Sequence, residues 1–272
     1  QGRNNFQFFT EAMNQQVSER LLMETHLRDA LGRDELELYY QPQYDFSSNR
    51  LIGCEALLRW NSSQGLIMPD RFIPLAEETG LIIPIGAWVL QQACRQAREW
   101  DRIHGTPLSM AVNVSAVQFR PELVDDVKSA LLDSGFPARQ LVLEVTESVL
   151  MSDVEGSISL LHQLRELGVR IALDDFGTGY ASLAYLKRFA LDKLKIDRTF
   201  IMGIPEDEDD VAITSSIIDI ARHLRLKTVA EGVETEAHCE FLRRAGCHIA
   251  QGYFYSPPLP AQAFEQRLQS KA

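Results

Sequence analysis

What most limits the fold of this chain is a rhythm. From Gly32 onward, short β-rich runs alternate with longer stretches of helical periodicity. The β runs are ELELYYQP (35–42), LIGCEALLRW (51–60), LSMAVNVS (108–115), LVLEVTES (141–148), VRIALDD (169–175), LDKLKID (191–197), KTVAEGV (227–233) and HIAQGYF (248–254). Amphipathic segments lie between them at 70–79, 84–103, 121–134, 153–167, 209–224 and 235–245, with a shorter piece at 181–188 and a last one at 260–270. Only a brief turn around Ser47–Asn49 separates the first two runs, which reads as an antiparallel hairpin. Beyond it, strand and helix alternate, and that favours parallel pairing. Eight strands with helices outside predict a TIM-like (β/α)8 barrel with an antiparallel first strand, and 272 residues suit one such barrel. A doubly wound open sheet is the alternative, since periodicity does not show closure.

Val17, Leu21, Leu27 and Leu31 fit one helix, which Gly32 stops. Residues 13–32 are therefore read as a linker helix and 33–272 as the barrel. Residues 1–12 read as the end of a preceding unit, because Phe6, Phe8 and Phe9 need a partner surface. Pro121 marks a helix start, and Gly168 and Gly246 mark helix ends. The acidic run Glu206–Asp210 reads as a solvated loop with favourable charge at a helix N-terminus.

A barrel strand should be mostly apolar. Here almost every run carries a polar residue near its C-terminal end: Gln41, Glu55, Asn113, Glu144, Asp174 with Asp175, Lys195 with Asp197, Glu231 and Gln251. In a TIM barrel those ends converge on one face, where active sites lie. A buried carboxylate is costly unless it is paired or bound to a metal. One such residue can be a satisfied structural group, but repetition over nearly every strand favours one shared polar site. Glu55, Asn113, Glu144, Asp174 and Asp175 are all oxygen donors, with no matching set of His or Cys. That suits hard cations, Mg²⁺ or Mn²⁺, rather than zinc or copper. Adjacent Asp174 and Asp175 would face opposite ways in a regular strand. At a strand end entering the turn Phe176-Gly177-Thr178-Gly179, both can face the site. One carboxylate bridging two ions, with its neighbour on the second, is the arrangement of a two-metal hydrolase. Lys195 then fits as the cation that holds the attacking water, and Glu231 as the group that orients it or takes its proton. Arg59 stands four residues beyond Glu55 and reads either as a phosphate clamp or as half of a surface ion pair. The Gly177-Thr178-Gly179 turn matches no P-loop or dinucleotide fingerprint. It reads as a flexible turn or a mobile functional loop.

Charge and thiols narrow the function. With 38 acids against 27 bases, the net charge is −11. This argues against polymeric nucleic acid, whose phosphates are met by Lys and Arg. It leaves a small phosphate substrate open, because a bound metal supplies positive charge locally. Cys54, Cys94, Cys239 and Cys247 contain no CxxC pair and read as reduced thiols of a cytoplasmic protein. A Cys239–Cys247 disulfide is the minor alternative. None of the six histidines has a ligand-like arrangement near the strand ends. No apolar run approaches the roughly 20 residues of a membrane span, and the N-terminus does not read as a signal peptide.

Glu55-Ala56-Leu57, extended as EALLRW, resembles the signature of the EAL-domain cyclic di-GMP phosphodiesterases. The likeness runs from about Leu22 to Ala263. It includes YYQP (39–42), FIPLAEETG (72–80), VNVS (112–115), LEVTES (143–148), DDFGTGYASL (174–183), KIDRTFI (195–201), AEGVE (230–234) and QGYFYSPPLP (251–260). The resemblance implies a TIM-like barrel that hydrolyses one phosphodiester bond of cyclic di-GMP to linear pGpG in bacterial second-messenger signalling, using two Mg²⁺ or Mn²⁺ ions. It implies that Glu55, Asn113, Glu144 and Asp174 hold one ion, and that Asp174 bridges to a second, which Asp175 also binds. Lys195 and Glu231 would arrange the water, with Glu231 as base. Gln41, Arg59 and Gln251 would contact substrate, with Asp197 and Glu234 as further candidates. Glu147 would support the 176–183 loop, with Phe176, Gly177, Thr178 and Gly179, coupling homodimer formation to metal binding. Ala181 stands where Ser is frequent and Pro258 where Lys is common, and neither touches the expected ligands. A non-catalytic cyclic di-GMP receptor is the alternative, but it should have lost a metal or water-handling residue, and none is lost here. Another metal-dependent phosphoesterase on a similar barrel is the third reading. The opening QGRNNFQFF also resembles the end of a GGDEF domain, which implies upstream GGDEF and sensor domains in a parent chain, with any membrane anchor there.

Overall fold

The structure, a computed structural model, describes residues 11–63, 65–105, 107–177 and 183–269. Residues 1–12, read above as the remnant of a GGDEF-like domain, lie almost wholly outside them. Helix α1 (Glu11–Ala30) begins and ends two residues earlier than the helix expected at 13–32, and its last turns bury Leu27 and Ala30 against the barrel. Strands β1 (Leu36–Asp45) and β2 (Leu51–Ser62) form the expected hairpin. Its turn is built by Asp45, whose carboxylate accepts from the Ser47 hydroxyl at 2.6 Å and the Ser48 N–H at 2.8 Å. Short β3 (Gly65–Ile67) lies on the edge of β2.

Helices α2 (Pro69–Thr79) and α3 (Ile82–His104) lead to β4 (Ser109–Asn113). Next come α4 (Leu123–Ser134), β5 (Leu141–Thr146), α5 (Glu147–Ser152), α6 (Val154–Glu166) and β6 (Arg170–Phe176). Then follow α7 (Leu183–Leu186), β7 (Lys193–Ile196), α8 (Glu208–His223), β8 (Lys227–Ala230), α9 (Glu236–Ala245), β9 (Ile249–Ala250), β10 (Leu259–Pro260) and α10 (Ala261–Gln269). Strands β2, β4, β5, β6, β7, β8 and β9 pair in parallel, in that order. Strand β9 then returns to β1, antiparallel, with Tyr44 opposite Ala250. The sheet is thus a closed eight-stranded barrel with β1 reversed, and the open-sheet alternative is excluded.

Local chemistry explains the boundaries. Asp207 caps α8 by accepting from the N–H groups of Asp209 and Asp210, so the acidic run does serve a helix N-terminus. Gly168 and Gly246 end α6 and α9 at φ of 91° and 87°, a region costly for other residues. Pro121 lies in the turn before α4, which starts two residues later than expected. The run 141–148 ends as a strand at Thr146, because pairing with β6 stops at Thr146 opposite Asp174 and the chain enters α5. All four cysteines are buried and free, so there is no Cys239–Cys247 disulfide. No helix among the described residues is long and apolar enough to cross a membrane.

The main core fills the space between barrel wall and helices. Trp60 meets Phe72 edge-on, and Trp100 packs between Tyr40 and Phe264 at ring distances of 4.8 and 4.6 Å. A separate small cluster, Ala111, Val142 and Ala172, lies on the other face of the strands, inside the barrel.

Candidate active site

Residues two apart on a strand share a face. Asn113 therefore follows Ala111 up the barrel interior, Glu144 follows Val142, and Asp174 follows Ala172. Gln41 of the reversed β1 reaches the same level because its register partner is Glu55. Ala111, Val142 and Ala172, with Lys193 level with Ala172, occupy the lower interior, and polar residues ring the end where the parallel strands stop.

Lys195 is the hub of that ring. It is 1% exposed, and its Nζ lies 2.5 Å from Glu144 Oε2, 2.7 Å from Glu231 Oε1, 2.9 Å from Asp174 Oδ2 and 3.8 Å from Glu55 Oε2. Burial alone would push the lysine pKa down, but the four carboxylates outweigh it and hold the ammonium charged well above the ordinary range. Glu144 and Glu231 feel the converse. Burial and the neighbouring acids raise Glu144 well above its usual value despite Lys195, and burial foremost raises Glu231 to about 8. One positive charge does not balance four ionised carboxylates, and proton uptake by Glu144 and Glu231 relieves the excess.

A second network ties Glu55 in place. Its Oε1 accepts from Asn113 Nδ2 at 2.6 Å and its Oε2 from Gln251 Nε2 at 2.5 Å. Gln251 also donates to Gln41 Oε1 at 3.1 Å and accepts from Gln43 Nε2 at 2.9 Å. Asp175 adopts φ of 54°, at an irregularity in the β6–β7 pairing, and so escapes the strict alternation of a strand. Burial raises its pKa, with Asp174 and Asp197 adding to the effect. Asp197 accepts from Thr199 N–H at 2.9 Å and is half-buried beside the ring.

Arg59 is buried in β2 rather than held in a surface ion pair. Its guanidinium lies 5.4 Å from the Tyr39 ring centre and donates to the Leu58 carbonyl. Burial lowers its pKa, opposed by Tyr39, Tyr253, Glu55 and Glu37, so it still senses the site. Glu147 opens α5, and neither of its buried carboxylate oxygens has a hydrogen-bond partner among the described residues. Phe176 is buried, and a Cβ at Gly177 would come within 3.1 Å of the Phe200 ring. Thr178 and Gly179 lie outside the described residues.

Three contributions escaped the sequence reading. Gln43 anchors Gln251 from below, and nothing in a β run distinguishes it from a surface glutamine. Lys193 shares the inner face with Lys195, and burial lowers its pKa to about 8. Gly252 packs so closely that a Cβ there would lie 2.2 Å from Val233 O, which locks the turn after Glu231 onto the turn after Gln251. Grooves on the outer wall, one beside Trp88 and Arg95, another beside Arg243 and Arg267, contain none of the ring.

The chain is similar to known proteins. The profile of the EAL domain matches residues 24–258. The chain belongs to the EAL domain family. Over 264 residues, 96% of its length, it is 51% identical to the bifunctional diguanylate cyclase/cyclic di-GMP phosphodiesterase MucR of Pseudomonas aeruginosa. Over 271 residues, 99% of its length, it is 48% identical to the cyclic di-GMP phosphodiesterase NbdA of the same organism. It spans 38% and 35% of those two relatives, so it corresponds to a part of each. A solved structure of the PaMucR phosphodiesterase in complex with c-di-GMP superposes with a TM-score of 0.86 at 51% identity, covering 89% of this chain and 99% of that one.

In this EAL domain, the donor set fits a divalent metal. Among the described residues, no three carboxylate, imidazole or thiolate groups are already gathered at ligand spacing. The carboxylates gather instead on Lys195. Their donors are all hard oxygens, and their uncompensated charge, visible in the raised pKa of Glu144 and Glu231, is what divalent ions would offset.

Proposed function

We propose that this domain hydrolyses one phosphodiester bond of cyclic di-GMP to give linear pGpG. The observation that carries the reading is the gathering of Glu55, Glu144, Asp174 and Glu231 on buried Lys195, with Asn113 on Glu55 and Asp175 beside Asp174, in a chain about half identical to two proteins named as cyclic di-GMP phosphodiesterases. Glu55, Asn113, Glu144 and Asp174 would hold one Mg²⁺ or Mn²⁺ ion, and Asp174 with Asp175 a second. Bound there, the ions would supply Lewis acidity at the phosphate and the positive charge that returns Glu144 and Glu231 to their ionised forms near neutral pH.

The protein's own groups do the rest. Lys195 donates to the attacking water and holds it in line. Ionised Glu231, 2.7 Å from that ammonium, takes the proton the water loses as its oxygen bonds to phosphorus. The bond to one ribose 3′-oxygen breaks, that oxygen takes up a proton from solvent to become the free 3′-hydroxyl, and the phosphate is left as the 5′-phosphate of pGpG. Gln41, Gln251 and Arg59, with Asp197 at the rim, bind the dinucleotide. Glu147, Phe176, Gly177, Thr178 and Gly179 would couple a homodimer contact to the second metal position. GGDEF and sensor domains upstream in a longer cytoplasmic or membrane-anchored protein would regulate the domain.

The decisive experiment incubates purified protein with cyclic di-GMP and Mg²⁺ or Mn²⁺ and resolves the products. Formation of pGpG supports the enzyme. Tight binding without pGpG overturns it in favour of a receptor, and cleavage of other diesters but not this one points to a different phosphoesterase. A monomer with undiminished turnover counts against coupling through the 176–183 loop.

A further inference from the structure

We infer that Gln118 and Gly86 form a clamp that positions Asn113 for metal binding. The inference rests on the reading of Asn113 as a metal ligand. Asn113 ends β4 and is exposed, while Val112 and Val114 on either side are buried. Its amide nitrogen donates to Glu55, which leaves Oδ1 as the atom for an ion. Asn113 is also the one neutral side chain among the five candidate ligands. A carboxylate is drawn to a cation from a distance by its charge, whereas an amide oxygen depends on being held in place.

The backbone beyond Asn113 is held at two points. The Val114 N–H donates to the Glu144 carbonyl at 2.9 Å, which extends the pairing of β4 with β5. The Ser115 N–H donates to the side-chain Oε1 of Gln118 at 3.3 Å, and the Ser115 carbonyl accepts from the Gln118 N–H at 3.0 Å. Gln118 therefore closes this turn with both its side chain and its backbone. It is 7% exposed, and its amide lies directly on Gly86 of α3. A Cβ at position 86 would stand 1.8 Å from Gln118 Nε2 and 2.5 Å from Cδ. A side chain there must displace the Gln118 amide, which weakens its acceptance from the Ser115 N–H. The glycine exists for that amide, and the amide exists for the turn that aims Asn113.

The test is Mn²⁺ titration by calorimetry, beside thermal unfolding and turnover, for wild type, Asn113→Ala, Gln118→Leu, Gly86→Ala and the Gln118→Leu/Gly86→Ala double variant. Leucine keeps the volume and removes the acceptor. Gln118→Leu and Gly86→Ala should each weaken Mn²⁺ binding about tenfold, the low end for a group that orients a ligand. The double variant should be little worse than either single one, because both break one contact. Turnover at saturating Mn²⁺ should return to within about threefold of wild type. Lower thermal stability with unchanged Mn²⁺ affinity in both single variants overturns the clamp. Gly86→Ala probes the same contact from the helix side should Gln118→Leu fail to fold. A wild type that does not bind Mn²⁺, or an Asn113→Ala variant that binds it as wild type does, overturns the metal reading instead.

Discussion

Replacing Lys195 with methionine isolates the electrostatics of the ring. Methionine keeps the length of the side chain and removes its charge, so little cavity forms. The lost ammonium lies 2.5 to 3.8 Å from four carboxylates. Removing one partner of a buried ion pair typically costs about 3–5 kcal/mol, and four orphaned acids place the expectation at the upper end wherever they are ionised. Protonation is their escape, worth about 1.4 kcal/mol for each pH unit by which a raised pKa exceeds the ambient pH. Glu231 is raised from 4.5 to about 8, and Glu144 is raised as well. Their folded forms therefore keep protons that the unfolded chain releases, so stability falls as pH rises through that window. Without Lys195 the pKa values climb further and the fall becomes steeper. In EDTA, urea unfolding followed by circular dichroism should show a loss of about 4–5 kcal/mol at pH 8.5 and about 2 kcal/mol or less at pH 5.5. An equal loss at both pH values, or none at pH 8.5, would refute the claim that this ammonium neutralises the ring.

Wild-type protein in EDTA should itself lose stability between about pH 5 and pH 8, because Glu231 titrates near 8 in the fold and near 4.5 outside it; a flat urea profile over that range contradicts the raised pKa. Asp174→Ala should abolish turnover yet leave metal-free stability at pH 8.5 within about 1 kcal/mol of wild type or higher, since it removes one of four competing charges around Lys195. Full activity in Asp174→Ala, or in Glu55→Ala, rules out the assigned ligands. Gly252→Ala should cut turnover about 100-fold, because its Cβ would push on Val233 and displace both Glu231 and Gln251 by a fraction of an ångström or more. Unchanged turnover in that variant means the two turns are not interlocked.

Barrel order was legible because each strand had to be short, apolar and followed by an amphipathic segment. Each of the eight wall strands overlaps one of the runs read from sequence, with β1, β2 and β6 continuing one to three residues beyond it, and the reversal of β1 follows from a turn too short for a crossover. The ring was legible because polar residues at strand ends break the pattern expected of a packed interior. Boundaries were less so. β8 stops at Ala230 and β9 at Ala250, yet the pairing continues as single bonds, Gln251 N–H to the Ala230 carbonyl and Val233 N–H to the Gln251 carbonyl. Residue type does not separate such interlocked turns from strand. Gln43, Gln118 and Gly86 stayed hidden for a different reason: each acts through one long-range contact, and a pattern along the chain does not record partners across the barrel.

Lys193 and Lys195 show why the ring, and no deeper level, suits a cation. They occupy one strand face, two residues apart, and both are nearly fully buried. At Lys193, burial dominates and lowers the pKa to about 8, because Glu144 is the one acid to oppose it, while Arg170, Lys227 and Lys195 reinforce the fall. At Lys195, the same cost of burial is overcome by four carboxylates. One step along the strand therefore separates an interior that resists positive charge from one that demands more of it. The domain's net charge of −11 would repel a dianionic dinucleotide. A level where negative charge exceeds its single counter-ion is where divalent ions gain most, and ions held there would turn an acidic barrel mouth attractive to phosphate.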